Sequence, residues 1–599
     1  MKDLSCKGAI FDLDGVITAS AKLHVEAWKK TFDSYLEKLS KKTGIPFQPF
    51  TYEQDYLPYV DGKPRYKGTQ SFLESRDIDL PYGFPSDPPG KETICGIGNQ
   101  KNELFRALIE EKGVEVFESS IELIKQLKKQ NIKVGVASSS QNCSLILKRA
   151  GLIELFETIV DGITAHELGL RGKPNPDIFI AAAKNMGLYP SECMVFEDAF
   201  AGVEAGRNGN FALVVGIARK TVPEQLKEHG ADIVVKDLKE LSLKDIENWF
   251  KTGIKEKCWN LTYFGFDPSQ ELLREALTTV GNGYFATRGC FASTQVNDDI
   301  HYPGTYIAGL YNKLPSNVHG KIVYNNDLVN CPNWLLIQVK IGDSDFINLL
   351  ECEILRYKHN LNMQDAIVSR EIVFKDQEGR ITSLEIKRFA SMENPHIGAL
   401  QYNITPQNYS DTIILKSSLD GTVTNYGVQR YRGLNSKHLE PIDEGKRNDE
   451  IFLHVQTNRS LLRIFMSAKT RVLQNGKKIE INKTTKKKPG IISEILKIDA
   501  KKFDTYTVEK FVSIYTSRDI DVEDLYETSR QVVRNIKSFD ELYERHKKVW
   551  HKLWDEADYL IEGDRFAQTV VRLHIYHLLV TASIHNRNID AGMPARGWH

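Results

Sequence analysis

Phe11-Asp12-Leu13-Asp14-Gly15 sets two carboxylates one residue apart at the end of the apolar run Ala9-Ile10-Phe11. Side chains alternate along a strand, so Asp12 and Asp14 would share a face if the strand continued. Glycine lets the chain turn away instead. That leaves both acids at the carboxyl edge of a sheet, where open α/β folds bind ligands. Two crowded anions repel unless a cation lies between them, so the pattern points to a Mg²⁺ site and phosphate chemistry. Alone, D-x-D-G also occurs in turns and calcium loops, and its companions along the chain must decide.

Up to about residue 250, apolar strands alternate with amphipathic helices. The candidate strands are Ala9–Leu13, Lys133–Ala137, Thr158–Val160, Met194–Phe196, Ala212–Gly216 and Asp232–Val235. Helical patterns such as Ser120–Lys129 and Asn142–Ala150 fall between them, which predicts a parallel, doubly wound sheet. Residues of about 20–110 interrupt that rhythm with a helix and a Pro/Gly-rich stretch around Pro81–Gly90. The segment is too long for a simple crossover and reads as an inserted helical cap beside the active edge. After the lysine-rich link Lys251–Lys257 the texture changes. Short alternating runs (Trp334–Ile341, Ser383–Phe389, Gly398–Ile404, Thr412–Leu419, Leu461–Ser467) and the turn signals Asp420-Gly421 and Asn475-Gly476 predict an antiparallel β-sandwich over 259–520. Helical periodicity returns over 521–599, ending in the apolar helix Arg565–Asn586.

Three later features complete the carboxylate pair. Strand Lys133–Ala137 delivers Ser138-Ser139-Ser140 to the same edge, where a hydroxyl and backbone N–H groups can hold phosphate oxygens. Gly172-Lys173-Pro174-Asn175-Pro176-Asp177 brings a lysine between flanking prolines that can neutralise a transferring phosphoryl group. Strand Met194–Phe196 ends in Glu197-Asp198, which supply further Mg²⁺ oxygen ligands. Separately, Lys173 reads as a surface lysine, Glu197-Asp198 as acids at a helix start and Ser138 as a helix cap. Jointly they converge acids, hydroxyl and lysine on one sheet edge.

Composition excludes other classes. Lys+Arg 79 against Asp+Glu 79 gives a formal charge of zero, without a basic stripe interleaved with aromatics, so nucleic acid is not an expected partner. The run Lys486-Lys487-Lys488 before Pro489-Gly490 reads as a solvated loop. Eight cysteines lie scattered without C-x-x-C, and Cys193, Cys290 and Cys352 sit in apolar segments. That predicts reduced, buried thiols in a cytoplasmic protein. No apolar stretch reaches the length of a membrane span.

The order of these motifs resembles the haloacid dehalogenase superfamily of phosphoryl-transfer enzymes across the whole of 1–250. The resemblance implies that Asp12 is a nucleophile forming an aspartyl-phosphate and that Asp14 is the general acid/base, offering its carbonyl to Mg²⁺. It implies that Ser138 and Lys173 bind the transferring phosphoryl group, and that Asp12, Asp14, Glu197 and Asp198 make the metal site. Within that superfamily, Phe11–Trp28 is similar to the β-phosphoglucomutase family through His24 and Trp28. Gly62-Lys63-Pro64-Arg65 is similar to its cap loop, where an arginine grips the non-transferring phosphate of a sugar bisphosphate. Lys101-Asn102 resembles a cap pair whose lysine is linked to the position of His24, and Ser140-Gln141-Asn142 falls where the family binds the distal phosphate. Ala19 stands in place of a common aspartate and Gln141 in place of a common lysine.

Leu272–Gly289, with Gly281-Asn282-Gly283, and His301-Tyr302-Pro303-Gly304-Thr305-Tyr306 resemble the N-terminal β-sandwich of glycoside hydrolase family 65, which includes maltose, trehalose and kojibiose phosphorylases. Arg565–Asn586 and Ala591–Trp598 resemble the first helix of its (α/α)₆ barrel and the loop that follows. The family's general acid lies further along such a barrel than Gly597-Trp598-His599, so a truncated barrel is expected and no catalytic residue is assigned here. His574 and His577 share a helix face and read as core or barrel-lining residues.

Together the two resemblances imply interconversion of β-glucose 1-phosphate and glucose 6-phosphate, with glucose bisphosphate as intermediate, coupled to phosphorolysis of a disaccharide. They allow a homodimer through the second half. A sugar-phosphate phosphatase, for instance for trehalose 6-phosphate, with a carbohydrate-binding or inactive second half, stays open as an alternative.

Overall fold

The computed structural model describes residues 6–44, 46–60, 63, 65–219, 221–293, 300–426 and 434–586. Gly62 and the Ala591–Trp598 motif lie outside the described residues. The chain divides into two compact units, one built mainly from residues 1–257 and the other mainly from 258–560 and 568–599.

The first unit is a parallel six-stranded sheet. Its strands are β1 (Gly8–Phe11), β2 (Lys133–Ala137), β3 (Thr158–Val160), β4 (Cys193–Glu197), β5 (Leu213–Ile217) and β6 (Ile233–Val235), in the order β3-β2-β1-β4-β5-β6. Near-continuous apolar runs such as Leu213–Ile217, buried throughout, suit strands covered on both faces. In register, Phe11 pairs with Val136 on one side and Phe196 on the other. The strand order therefore reverses at β1, between β2 and β4, and ligands of doubly wound sheets bind at such a reversal. The strand expected over Ala9–Leu13 ends at Phe11, because the chain leaves the sheet at Asp12.

Helices Ala21–Thr43, Arg65–Glu74 and Ile94–Lys112 form the inserted segment. They pack their own apolar cluster, with Trp28, Phe32, Phe50 and Phe72 at its centre. Thr93 caps the third helix by accepting from the Gly96 N–H at 2.9 Å. Two chain crossings join the insert to the core. They pair with each other, Ala19 N–H to Glu115 carbonyl and Phe117 N–H to Ile17 carbonyl, both at 2.9 Å.

The second unit is dominated by antiparallel sheet. A four-stranded sheet runs Ile337–Ile341, Asp411–Asp420, Ile491–Ala500, Lys483–Lys488, and a ten-stranded sheet contains Ile367–Lys375, Ile381–Ala390, Ile397–Pro406 and Tyr506–Thr516 at its centre. Inward residues of both, including Ile413, Leu415, Leu496, Tyr402 and Val508, share one core. The expected turn at Asn475-Gly476 is a tight hairpin with both residues at positive φ, 48° and 79°. Helices Leu525–Asn535, Phe539–Ala557 and Arg565–Thr581 follow.

Two expectations need correcting. Lys486-Lys487-Lys488 is not a loop but the end of strand Lys483–Lys488, outermost in the four-stranded sheet. Pro489-Gly490 supplies the reversal, with Gly490 at φ 78°, and Lys488 then faces Ile491. Seven cysteines are buried free thiols, but Cys352 is only partly covered.

Candidate active site

Asp12 leaves β1 buried, its N–H bonded to the Phe196 carbonyl at 3.0 Å, while Asp14 stands half-buried on the turn beyond. Gly15 makes that turn at φ 87°, where side chains are disfavoured. A Cβ on Gly15 would fall 1.9 Å from Asp198 Oδ2, and one on Gly202 would fall 1.8 Å from Glu197 Oε1. Gly15 thus lets the ends of β1 and β4 approach, and Gly202 leaves room for the Glu197 carboxylate beside the helix Phe200–Asn208.

Lys173 crosses to this edge with its Nζ 2.6 Å from Asp12 Oδ1 and 3.4 Å from Glu197 Oε1. Burial disfavours its ammonium, but Asp12 and Glu197 more than offset that, so its pKa stands above the ordinary lysine range. Carboxylate oxygens of Asp12, Glu197 and Asp198 lie within 4.8 Å of one another. Three acids against one ammonium leave the cluster anionic. Burial first, then the Asp12 charge, holds the Glu197 carboxyl well above its usual range, and Glu197 Oε2 is buried with no hydrogen-bond partner. An oxygen-rich, overcharged cluster with an orphaned acceptor suits a hard divalent cation such as Mg²⁺.

Burial, and then repulsion from Asp12, lifts the Asp14 carboxyl to about 6. Ser20, at the base of the cap, donates its hydroxyl to Asp14 Oδ1. The Asp14 Oδ2 also lies 4.0 Å from His24 Nε2. His24 is stacked on Phe105 at 3.9 Å between centroids, and its Nδ1 meets Lys101 Nζ at 2.7 Å. Lys101 is buried over the rings of Trp28 and Phe105, 5.2 and 4.5 Å from their centroids. Burial and the nearby Arg65 push its ammonium down to about 7. The imidazole of His24, half-buried beside it, is pushed well below its usual value by desolvation and by the Lys101 charge.

The loop after β2 carries Ser138 and Ser140. The Ser138 Oγ accepts from Ser140 N–H at 3.1 Å, and the Ser140 Oγ accepts from Asn142 N–H at 3.2 Å. Asn142 Nδ2 donates to Asn102 Oδ1 of the cap at 2.8 Å. Arg65, first residue of its cap helix, reaches Asn99 Oδ1 at 3.3 Å and Gln141 Oε1. The structure therefore gathers Asp12, Asp14, Ser138, Lys173, Glu197 and Asp198 on the core side and His24, Arg65 and Lys101 on the cap side. Sequence reasoning missed Ser20 and Arg219. Arg219 Nε donates to the Gly15 carbonyl at 3.2 Å and its guanidinium lies 3.6 Å from the Phe117 ring centroid, bracing the turn that carries Asp14.

A second group of the described residues, Glu271, Glu275 and His301, also brings ligand-type atoms within 4.8 Å. Here cations already occupy the space. Arg274 lies 3.0 Å from Glu271, Arg370 lies 3.3 Å from Glu271 and 3.4 Å from Glu275, and His301 lies 2.7 Å from Glu275. Burial raises Glu275, but His301 and the arginines bring it below the usual range, the opposite of Glu197. This is an ion-pair network fixing the helix Glu271–Leu277. Nearby, Asn282 Nδ2 donates to the Ser391 and Pro395 carbonyls, and its Oδ1 accepts from the Tyr284 and Phe285 N–H groups.

Residues 6–210 match the family model of haloacid dehalogenase-like hydrolases, and residues 261–553 match that of the glycosyl hydrolase family 65 N-terminal domain. A β-phosphoglucomutase of Mycobacterium bovis is 46% identical over 238 residues, covering 39% of this chain and 91% of that protein. The first part of the chain belongs to the haloacid dehalogenase family, in its β-phosphoglucomutase branch. It is fused to a family 65 phosphorylase-like part. A kojibiose phosphorylase of Caldanaerobacter subterraneus is 31% identical over 333 residues, 54% of this chain and 41% of that one. An uncharacterised glycosyl hydrolase of Mycobacterium tuberculosis is 25% identical over 854 residues, 98% of this chain. The present chain spans 64% of that relative's length.

Proposed function

We propose that the first unit interconverts β-glucose 1-phosphate and glucose 6-phosphate through an aspartyl-phosphate on Asp12. The observation that carries the reading is the Lys173 ammonium 2.6 Å from Asp12 Oδ1, beside Glu197 and Asp198, in a chain segment 46% identical to a β-phosphoglucomutase. An Asp12 carboxylate oxygen attacks phosphorus, and the bond from phosphorus to the sugar oxygen breaks. Asp14, with its carboxyl near pH 6, donates a proton to that departing oxygen and recovers one from the hydroxyl that attacks next. Lys173 and Ser138 hold the non-bridging oxygens as charge builds on them. Asp12, Glu197, Asp198 and the Asp14 carbonyl would hold Mg²⁺, which when bound offsets the charge of the phosphoryl oxygens.

On the cap side Arg65 takes the non-transferring phosphate, with Ser140 and Asn142 beside it and Gly62, three positions earlier in the sequence, assigned to the same motif. Lys101 and His24 order the cap edge over Asp14. A grip on the second phosphate separates a mutase from a phosphatase: the bisphosphate must bind in both orientations while water is kept from the aspartyl-phosphate.

The second part, on this reading, belongs to a disaccharide phosphorylase whose product feeds the first. Its likeness to the kojibiose phosphorylase supports a β-sandwich, then linker helices from Leu525, then the first helix of an (α/α)₆ barrel from Arg565. We assign it no catalytic residue. The seven buried free thiols support a reducing, cytoplasmic setting.

The test incubates the chain with β-glucose 1-phosphate, Mg²⁺ and a trace of β-glucose 1,6-bisphosphate, following glucose 6-phosphate and free phosphate together. Glucose 6-phosphate without phosphate release is expected. Phosphate release alone would make the first unit a sugar-phosphate phosphatase.

A further inference from the structure

Among the side-chain contacts between the cap and core of the first unit, the one made by Arg65 has unusual electrostatics. Arg65 is aimed by a fixed scaffold. Asn99 donates its amide to the carbonyls of Pro85 at 3.0 Å and Asp87 at 2.9 Å, which leaves its Oδ1 facing the other way as an acceptor. That oxygen takes the Tyr66 hydroxyl at 2.9 Å and Arg65 Nη1 at 3.3 Å. The guanidinium lies 5.3 Å from the Tyr66 ring centroid, so its plane is supported as well as its tip. Its other amino group then crosses to the core and donates to Gln141 Oε1.

Both of these acceptors are neutral amide oxygens. Arg65 is thus a half-buried guanidinium held in place without a carboxylate, as a cation kept ready for an anionic ligand would be. Gln141 is suited to this in a way its charged alternatives are not. An ammonium at 141 would repel Arg65, and a carboxylate would neutralise it and repel an incoming phosphate. The amide bonds the guanidinium when the site is empty and can give it up to a stronger acceptor. Asn142, the next residue, makes another contact across the seam, to Asn102.

We propose that Gln141 is a cap latch and a charge-setting positioning residue: it holds Arg65 across the seam between cap and core in the ligand-free protein, and it makes Arg65 the cation offered there to the far anionic group of the ligand. The ligand half of this statement rests on the sugar-phosphate reading given above; the latch half does not.

Three full-length variants test it, Gln141→Ala, Gln141→Lys and Gln141→Glu. Without ligand, amide hydrogen exchange over residues 65–74 and 138–149 should quicken about threefold to tenfold in Q141A and Q141K, the effect of losing one hydrogen bond. Q141E, which keeps an acceptor, should exchange as slowly as the parent or more slowly. Unchanged exchange in strands β1–β6 would certify that each variant is folded. The concentration of β-glucose 1,6-bisphosphate giving half-maximal activation should fall in Q141K and rise in Q141E at low salt. Both differences should shrink in high salt. Equal exchange over 65–74 in the parent, Q141A and Q141K overturns the latch. Activation constants that do not move in opposite directions overturn the charge-setting role. A parent chain that turns over no sugar phosphate sinks the functional reading, and the exchange comparison still decides the latch.

Discussion

Lys173 Nζ lies 2.6 Å from Asp12 Oδ1, although 161 positions separate the two residues in the chain. Replacing Lys173 by Met should lower kcat for β-glucose 1-phosphate by ~10²–10³, the usual scale for losing one preorganised charge at a reacting group. Steady-state kinetics checks this; more than a tenth of parental activity would remove Lys173 from the phosphoryl-transfer step.

Gly15→Ala should both destabilise the first unit and weaken its response to Mg²⁺. The backbone at φ 87° costs a side chain about 1–2 kcal/mol, and the new Cβ would displace Asp198 Oδ2. Thermal melts with and without Mg²⁺ read both effects. The parent should melt higher with the ion, because binding to the folded form alone is stabilising, and the variant should show a smaller rise.

Lys101 makes stability depend on pH in an alkaline window. Its ammonium is pushed to about 7 in the folded chain against an ordinary 10.5. Below pH 7 both folded and unfolded chains hold the proton, and the burial penalty is present in full. Between about 7 and 10.5 the unfolded chain binds a proton that the folded one lacks, so stability rises with pH, by at most ~1.4 kcal/mol per unit. Denaturant unfolding of the parent at pH 7 and pH 9 should show that gain, and Lys101→Met should be flatter. Parallel curves would mean that Lys101 keeps its proton in the fold.

In the second unit, Asn282→Ala should be strongly destabilising with no charge involved. Four backbone groups lose their partners at once, the Ser391 and Pro395 carbonyls and the Tyr284 and Phe285 N–H groups. At about 1 kcal/mol for each hydrogen bond the cost approaches ~4 kcal/mol. A fall in the melting temperature assigned to residues 258–560 checks it. Asn282→Asp, which keeps the acceptor but turns a second buried oxygen towards the Ser391 and Pro395 carbonyls, should not restore the stability.

The strand ends of the first unit were legible because each signal is local. An apolar run followed by Asp-x-Asp-Gly, Ser-x-Ser or Glu-Asp says where a strand stops and what it delivers. That Asp12, Ser138, Lys173 and Glu197 would converge follows from a parallel sheet presenting its carboxyl ends together. What joins the cap to that edge was not legible by such means. Ser20 bonds Asp14 only because the turn at Gly15 brings residues six apart together, and Arg219 braces Gly15 across 204 positions. The Lys486–Lys488 run misled for the same reason. Its polarity is that of a loop, and pairing with Ile491–Ala500 overrides that local preference.

That outermost strand has a consequence for the whole molecule in a crowded solution. An unpaired sheet margin is a template on which another chain can add a strand. Lys483–Lys488 presents that margin as KTTKKK, with its last five residues exposed. A second copy approaching in register would bring its own lysines against these, and the mutual repulsion keeps the margin single. The lysines that make the segment look unstructured are what allow a strand to remain at the border of the sheet without recruiting its neighbours into aggregates.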